Sequence, residues 1–107
     1  MSFIVRYTEQ AEADLYRNAN WWAGNHSLEQ ALEWESTVRG QIQTLRDMPE
    51  RHALAPENAN FPIDIREKQI GLGSRPSYRA IYTIVASEVR VLAIRRASQD
   101  TFTPNET

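Results

Sequence analysis

The chain contains no cysteine, and that absence excludes a disulfide framework, a thiolate nucleophile and every thiolate metal site. Histidine is nearly as scarce. His26 and His52 sit beside Asn25 and Arg51 in polar connections and lack the i, i+4 spacing of a helical metal pair. They read as surface histidines, and no metal or organic cofactor is expected. No run approaches the roughly 18 apolar residues that span a bilayer. The start Met1-Ser2-Phe3-Ile4-Val5-Arg6 also lacks a basic stretch followed by an apolar signal core. A cytoplasmic protein without membrane contact is expected. Lysine occurs once, as Lys68, so arginine carries almost all positive charge.

What remains is an ordinary globular composition, 41% hydrophobic and 24% charged over 107 residues. It implies one domain spanning 1–107, which at this size buries only about two-thirds of its unfolded surface. The net charge of -2 hides a division. Residues 1–64 carry five arginines against ten acids, whereas 65–107 carry seven basic residues against four acids. A basic half on an acidic protein suits phosphate or an acidic partner.

Periodicity supplies the elements. Ser2–Tyr7 is short, β-branched and aromatic, and suits a strand. Thr8 can cap a helix whose stripe is Ala11, Leu15, Ala19 and Trp22, with Glu12, Asp14, Arg17 and Asn18 elsewhere. Gly24-Asn25 stops it, and Ser27 with Gln30 forms a capping-box pattern for a second helix over Leu28–Asp47. That helix shows Leu28, Ala31, Leu32, Val38, Ile42 and Leu45 on one face, and the two helices should form an antiparallel hairpin. Pro49–Pro62 loses periodicity and reads as a long surface connection. Strand-like runs follow at Ile65–Leu72, Tyr78–Val85 and Glu88–Arg96, and the tail after Phe102 should fray. The order β-α-α-β-β-β predicts an α+β domain, an antiparallel sheet with the helical hairpin on one face.

If Ala86-Ser87 is a two-residue turn, Val85 faces Glu88, and the same register pairs Ala80 with Ala93 and Arg79 with Ile94. One face then shows Ala80, Tyr82, Ile84, Val89, Val91 and Ala93, a natural bed for the helices. The other shows Arg79, Ile81, Thr83, Arg90, Leu92, Ile94 and Arg96, and looks open. Together with Arg66, Lys68 and Arg95, these arginines could hold phosphate bidentately, or equally well carboxylates on a protein.

The opening Val5-Arg6-Tyr7-Thr8-Glu9-Gln10-Ala11-Glu12-Ala13-Asp14-Leu15, the strand Tyr78-Arg79-Ala80-Ile81-Tyr82 and the final Val91-Leu92-Ala93-Ile94-Arg95-Arg96 resemble the RelE/ParE toxins of bacterial type II toxin–antitoxin modules. The resemblance runs over nearly the whole chain. It implies growth inhibition or plasmid stabilisation, and neutralisation by a cognate antitoxin laid across the toxin. RelE-like members cleave messenger RNA on the ribosome, whereas ParE-like members poison DNA gyrase. In the first branch Arg79 and Arg96 would be catalytic, holding phosphate, and a Tyr or His near the C-terminus would move a proton. Here that position is Phe102, which cannot, so Glu67, Asp100 or an arginine would have to serve. With two long helices carrying Trp21, Trp22 and Trp34, the sequence favours the gyrase-binding branch, although the tryptophans also suit core and antitoxin contacts. The nuclease, or a non-toxic relative that keeps only antitoxin binding, are the alternatives. Residues expected to bind target or antitoxin are Arg66, Lys68, Arg79, Arg90, Arg95, Arg96, Trp21 and Trp22. Arg79→Ala and Arg96→Ala are expected to fold normally and to reduce any toxicity.

Overall fold

The computed structural model describes residues 2–74, 76–97 and 101–106. Thr8 ends β1 (Ile4–Tyr7) and caps α1 (Glu9–Asn25), its hydroxyl accepting from the Ala11 N–H at 3.1 Å. Ser27 caps α2 (Leu28–Gln43) in the same way, accepting from the Gln30 N–H at 3.1 Å. A 3-10 turn over Thr44–Arg46 finishes that helix. Three strands follow: β2 (Arg66–Ile70), β3 (Tyr78–Val85) and β4 (Glu88–Arg96).

The fold is the expected α+β arrangement, with one addition to its sheet. β2, β3 and β4 form the antiparallel meander, and β1 joins as a fourth strand parallel to β4, Ile4 opposite Glu88 and Tyr7 opposite Val91. The two reversals from β2 to β4 leave both running in the direction of β1.

The hairpin register departs from the expected one. Val85 does face Glu88, but a bulge intervenes between Tyr82↔Val91 and Ile81↔Ala93, with Leu92 the extra residue. Ala80 therefore pairs with Ile94 and Arg79 with Arg95. The cause lies at the end of β1. Beyond Val91 the edge of β4 has no neighbouring strand, and polar groups of α1 take its place. The Thr8 hydroxyl donates to the Leu92 carbonyl at 3.2 Å, and Asp14 accepts from the Ile94 N–H at 2.9 Å. Ile94, not Ala93, thus faces the helices, and Ala93 joins the opposite face.

The helices bury Ala11, Leu15, Trp34, Val38, Ile42 and Leu45 against Tyr78, Ala80, Tyr82, Val89, Val91 and Ile94. Trp34 rotates the α2 stripe away from the expected one. Its ring meets Tyr78 at 5.0 Å, which leaves Leu28 68% and Leu32 61% exposed. Asp14 and Asn18, expected off the α1 stripe, are buried on it.

The sheet face away from the helices is not open. Ala55, Ile65, Ile81, Leu92, Ala93 and Phe102 form a second buried cluster there, with Phe61 packed against it. The connection expected to run over the surface folds into two 3-10 turns: Pro56–Asn60 roofs this face, whereas Pro49–Arg51 packs on the helix side, its Pro49 carbonyl accepting from the Tyr82 hydroxyl. The tail is held too. Phe102 stacks on Phe61 at 5.2 Å, and Pro104–Glu106 forms a short turn.

Ala86, first residue of the β3–β4 turn, has φ 56°, a left-handed conformation that costs any residue with a Cβ. Ala86→Gly should raise stability by about 0.5 to 1 kcal/mol, read as a higher denaturant midpoint at unchanged slope. Among the described residues, no helix is long and apolar enough to cross a membrane.

Candidate functional site

The arginine cluster expected on one face is divided by the structure into four separate settings. Arg79 projects from β3 into the roofed face and is buried. Its Nη1 donates to Glu57 at 2.8 Å and to Glu67 at 3.0 Å, and its Nη2 donates to the other Glu57 oxygen. These carboxylates hold the guanidinium pKa above its usual value against the pull of burial. Glu57 also accepts from the Phe102 N–H at 3.0 Å. Arg79 is therefore part of the structure that closes this face, and the expectation of an exposed residue is corrected.

Arg95 is buried on the same side, because the bulge turns it there. Its Nε donates to Asp14 at 3.1 Å, its Nη2 to Glu106 at 2.6 Å, and its guanidinium lies 5.4 Å from the centre of the Phe102 ring. Burial opposes its charge, but Glu106 and Asp14 outweigh it and raise its pKa. Arg90 sits at the exposed end of β4, with Nε 3.1 Å from Glu88, which Arg6 also approaches at 3.5 Å.

Arg96 pairs with Tyr78 and so lies on the helix side of the sheet, opposite to Arg79. Its guanidinium sits 5.0 Å above the ring of Trp21. Trp21 meets Trp22 edge-on at 5.6 Å, and Trp22 stacks on His26 at 4.6 Å. Trp21, Trp22, Ser77, Tyr78 and Arg96 line a cleft of about 180 Å³ near the turn of the helical hairpin. Trp21 is 39% exposed. Here two expected tryptophans and one expected arginine do come together, as an aromatic surface with a cation over one ring. Such a surface binds protein groups through stacking, apolar contact and hydrogen bonds to carboxylates or carbonyls.

Arg66 and Lys68 face the helix side of β2, opposite Tyr82 and Ala80. Arg66 donates to the His52 carbonyl at 2.6 Å. They lie with Arg51 and His52, two residues that the sequence marks only as part of a loop. Asp100, considered as a proton-transfer group, lies outside the described residues. Among the described residues no group of three metal-ligating side chains occurs.

Asp14 and Glu57 had no place among the expected site residues. Asp14 could have been found, since Ala11, Asp14, Leu15 and Asn18 recur at helical spacing. Glu57 could not, because nothing in Pro56-Glu57-Asn58 marks a carboxylate that meets a strand 22 residues away.

A family model, the ParE toxin of the type II toxin–antitoxin system parDE, matches residues 5–101. No curated protein sequence is significantly similar to the chain. Among solved structures, a chain from the chromosomal ParDE TA system from P. aeruginosa superimposes with a TM-score of 0.73 at 21% identity, covering 89% of this chain and 96% of that one. That likeness is one of fold. With the family model spanning almost all of the sequence, the chain belongs to the ParE toxin family of type II toxin–antitoxin systems.

Proposed function

We propose that the chain acts in the cytoplasm by binding a protein target, DNA gyrase, and that a cognate antitoxin neutralises it by covering the toxin surface. The observation that carries this reading is the separation of Arg79 from Arg96. They lie on opposite faces of the sheet, Arg79 engaged by two carboxylates and Arg96 by Trp21, so the pair cannot close on one phosphate. Phe102, where a nuclease would place its proton-transfer group, is buried against Phe61. The remaining exposed features suit protein contact. Tyr16 (73%), Leu28 and Leu32 are solvent-exposed apolar side chains on the hairpin, and the Trp21–Arg96 cleft lies at its end. The ParDE pair in the superimposed structure supports an antitoxin partner for this chain.

Induced expression in bacteria without the antitoxin tests the reading, with the DNA-damage response and cleavage of ribosome-bound messages scored in the same cultures. Growth arrest with DNA damage and intact messages is expected. Codon-phased message cleavage would make the chain a nuclease, and unimpaired growth would make it an inert relative. Trp21→Ala and Arg96→Ala change side chains at the surface, so each should shift stability by less than about 1 kcal/mol. Both should relieve the growth arrest. Full arrest from both folded variants would remove the cleft from the target site.

A further inference from the structure

Arg51, His52, Arg66 and Lys68 form a cationic patch separate from the Trp21–Arg96 cleft. Arg66 and Lys68 are alternate residues on one face of β2, so their backbone positions stand roughly 6.7 Å apart. The 3-10 turn carrying Arg51 is drawn alongside them by the bridge between Leu54 and Arg66. The Arg51 Nε lies 3.4 Å from the His52 Nε2, and the His52 ring meets Tyr82 edge-on at 6.4 Å. Among the described residues, no carboxylate forms an ion pair with Arg51, Arg66 or Lys68. That contrasts with Arg6, Arg17, Arg39, Arg46, Arg79, Arg90 and Arg95, each of which has an acidic partner.

The charges strain against one another. Burial lowers the His52 pKa, and Lys68, Arg51 and Arg66 lower it further. Burial and then Arg51 do the same to Lys68. An acidic protein that leaves like charges together without counter-ions has a surface whose electrostatic cost is relieved by an anion.

The backbone around the patch and the layout of its charges narrow the kind of anion. A peptide could add to β2 only along its outer edge, and both ends of that edge are occupied. The Ile65 carbonyl and Glu67 N–H bond to residues 55 and 53, at 2.9 and 3.1 Å. The Gln41 side chain takes the N–H and carbonyl of Gly71 at 2.8 and 3.0 Å. Strand addition is thereby confined to the short stretch between Glu67 and Gln69. The cations are also spread along a strand and a turn instead of converging in a cavity, an arrangement that follows a repeating anion. We infer that Arg51, Arg66 and Lys68, with His52, contact the phosphodiester backbone of a nucleic acid. Guanidinium and ammonium groups then neutralise successive phosphates, without reading base sequence.

The experiment needs no gyrase, so its failure is separate from that of the target reading. Binding of the purified chain to a fluorescein-labelled DNA duplex, and to a labelled single-stranded RNA, is measured from about 50 to about 200 mM salt. Three neutralised phosphates give a slope of log affinity against log salt of about -2.7 on the duplex and about -2.1 on the single strand. Arg51→Gln with Lys68→Gln should weaken binding roughly tenfold and reduce the slope by nearly 2. Arg6→Gln with Arg46→Gln, the same loss of charge near the other edge of the sheet, should leave binding within about twofold. The first double variant should melt at or above the wild-type temperature, since it removes repulsion and no ion pair. Charge reversal by Arg51→Glu, at an exposed side chain, repeats the test with a single change. No binding at low salt, an equal loss from the two double variants, or equal competition by polyglutamate would each overturn the proposal, the last in favour of an acidic protein partner.

Discussion

Replacing Arg79 with alanine should cost the folded chain about 3 to 5 kcal/mol, because it leaves Glu57 buried without its counter-charge. For a domain of this size that is a fall in melting temperature of more than about 10 °C. The result would look like loss of function in a growth assay, yet its cause would be loss of the folded toxin. The expectation that Arg79→Ala folds normally rests on an open sheet face, and the face is roofed by the connection and the tail. Arg79→Met combined with Glu57→Leu should recover part of the loss, since neither charge is then left alone. Glu67, partly exposed, can turn to water.

The same ion pair sets the acid limit of stability. Burial pushes the Glu57 carboxyl up, but Arg79 and the Phe102 N–H outweigh it and hold it at about 2, below its ordinary value of 4.5. A carboxylate with a depressed folded pKa stabilises fully above the unfolded value. That stabilisation is lost as pH falls through the window from about 4.5 to about 2, where the unfolded carboxyl is protonated and folding must release its proton. Over this window the wild type should lose on the order of 3 kcal/mol at this site. The Arg79→Met, Glu57→Leu chain should lack that component. Thermal midpoints of the two proteins between these pH values give the comparison, and parallel curves would show that Glu57 is not the group responsible.

Asp14→Ala should have an effect of similar size by a different route. Asp14 is wholly buried and accepts from the Ile94 N–H, the Arg95 Nε and the Gln10 side chain, with Arg17 3.2 Å away at the surface. Alanine there would leave a strand N–H without an acceptor and a buried guanidinium with one carboxylate fewer, at a cost of about 3 to 5 kcal/mol. Asn keeps one acceptor and loses the charge, so Asp14→Asn should cost about 1 to 3 kcal/mol. Amide exchange supplies the local readout. Ile94 and, through Arg95 and its bond to Glu106, the tail around Phe102 should exchange faster in both variants, with α2 affected least.

These two carboxylates also mark where the sequence stops being readable. Element order followed from local signals: caps at Thr8 and Ser27, a stop at Gly24-Asn25, and alternating strands after Ile65. These depend on neighbours within a few residues. The bulge at Leu92 does not, since it exists because β1 ends at Tyr7 and α1 then offers Thr8 and Asp14 to the edge of β4. A one-residue slip at that bulge exchanges the faces of Ala93, Ile94, Arg95 and Arg96. For the same reason, Arg79 and Arg96 fell on one face in the sequence and on two in the structure. Trp34 illustrates a second limit. Leu28 and Leu32 fit a helical stripe as well as Trp34 does, and only the ring of Tyr78 decides which side of α2 turns inward. Of the candidate site, Trp21, Trp22 and Arg96 were legible as residues, but their meeting in one cleft was not. Arg51 and His52 carried no pattern at all, and became part of a patch only through the pairing of Leu54 with Arg66.

The most direct test of the gyrase reading uses purified components: the chain, DNA gyrase and supercoiled plasmid, with and without ATP, scored for protein-linked double-strand breaks. Gyrase-dependent breaks should accumulate with the wild-type chain and fall with Trp21→Ala and Arg96→Ala. Unaltered gyrase activity at saturating toxin, together with cleavage of messages on isolated ribosomes, would contradict it.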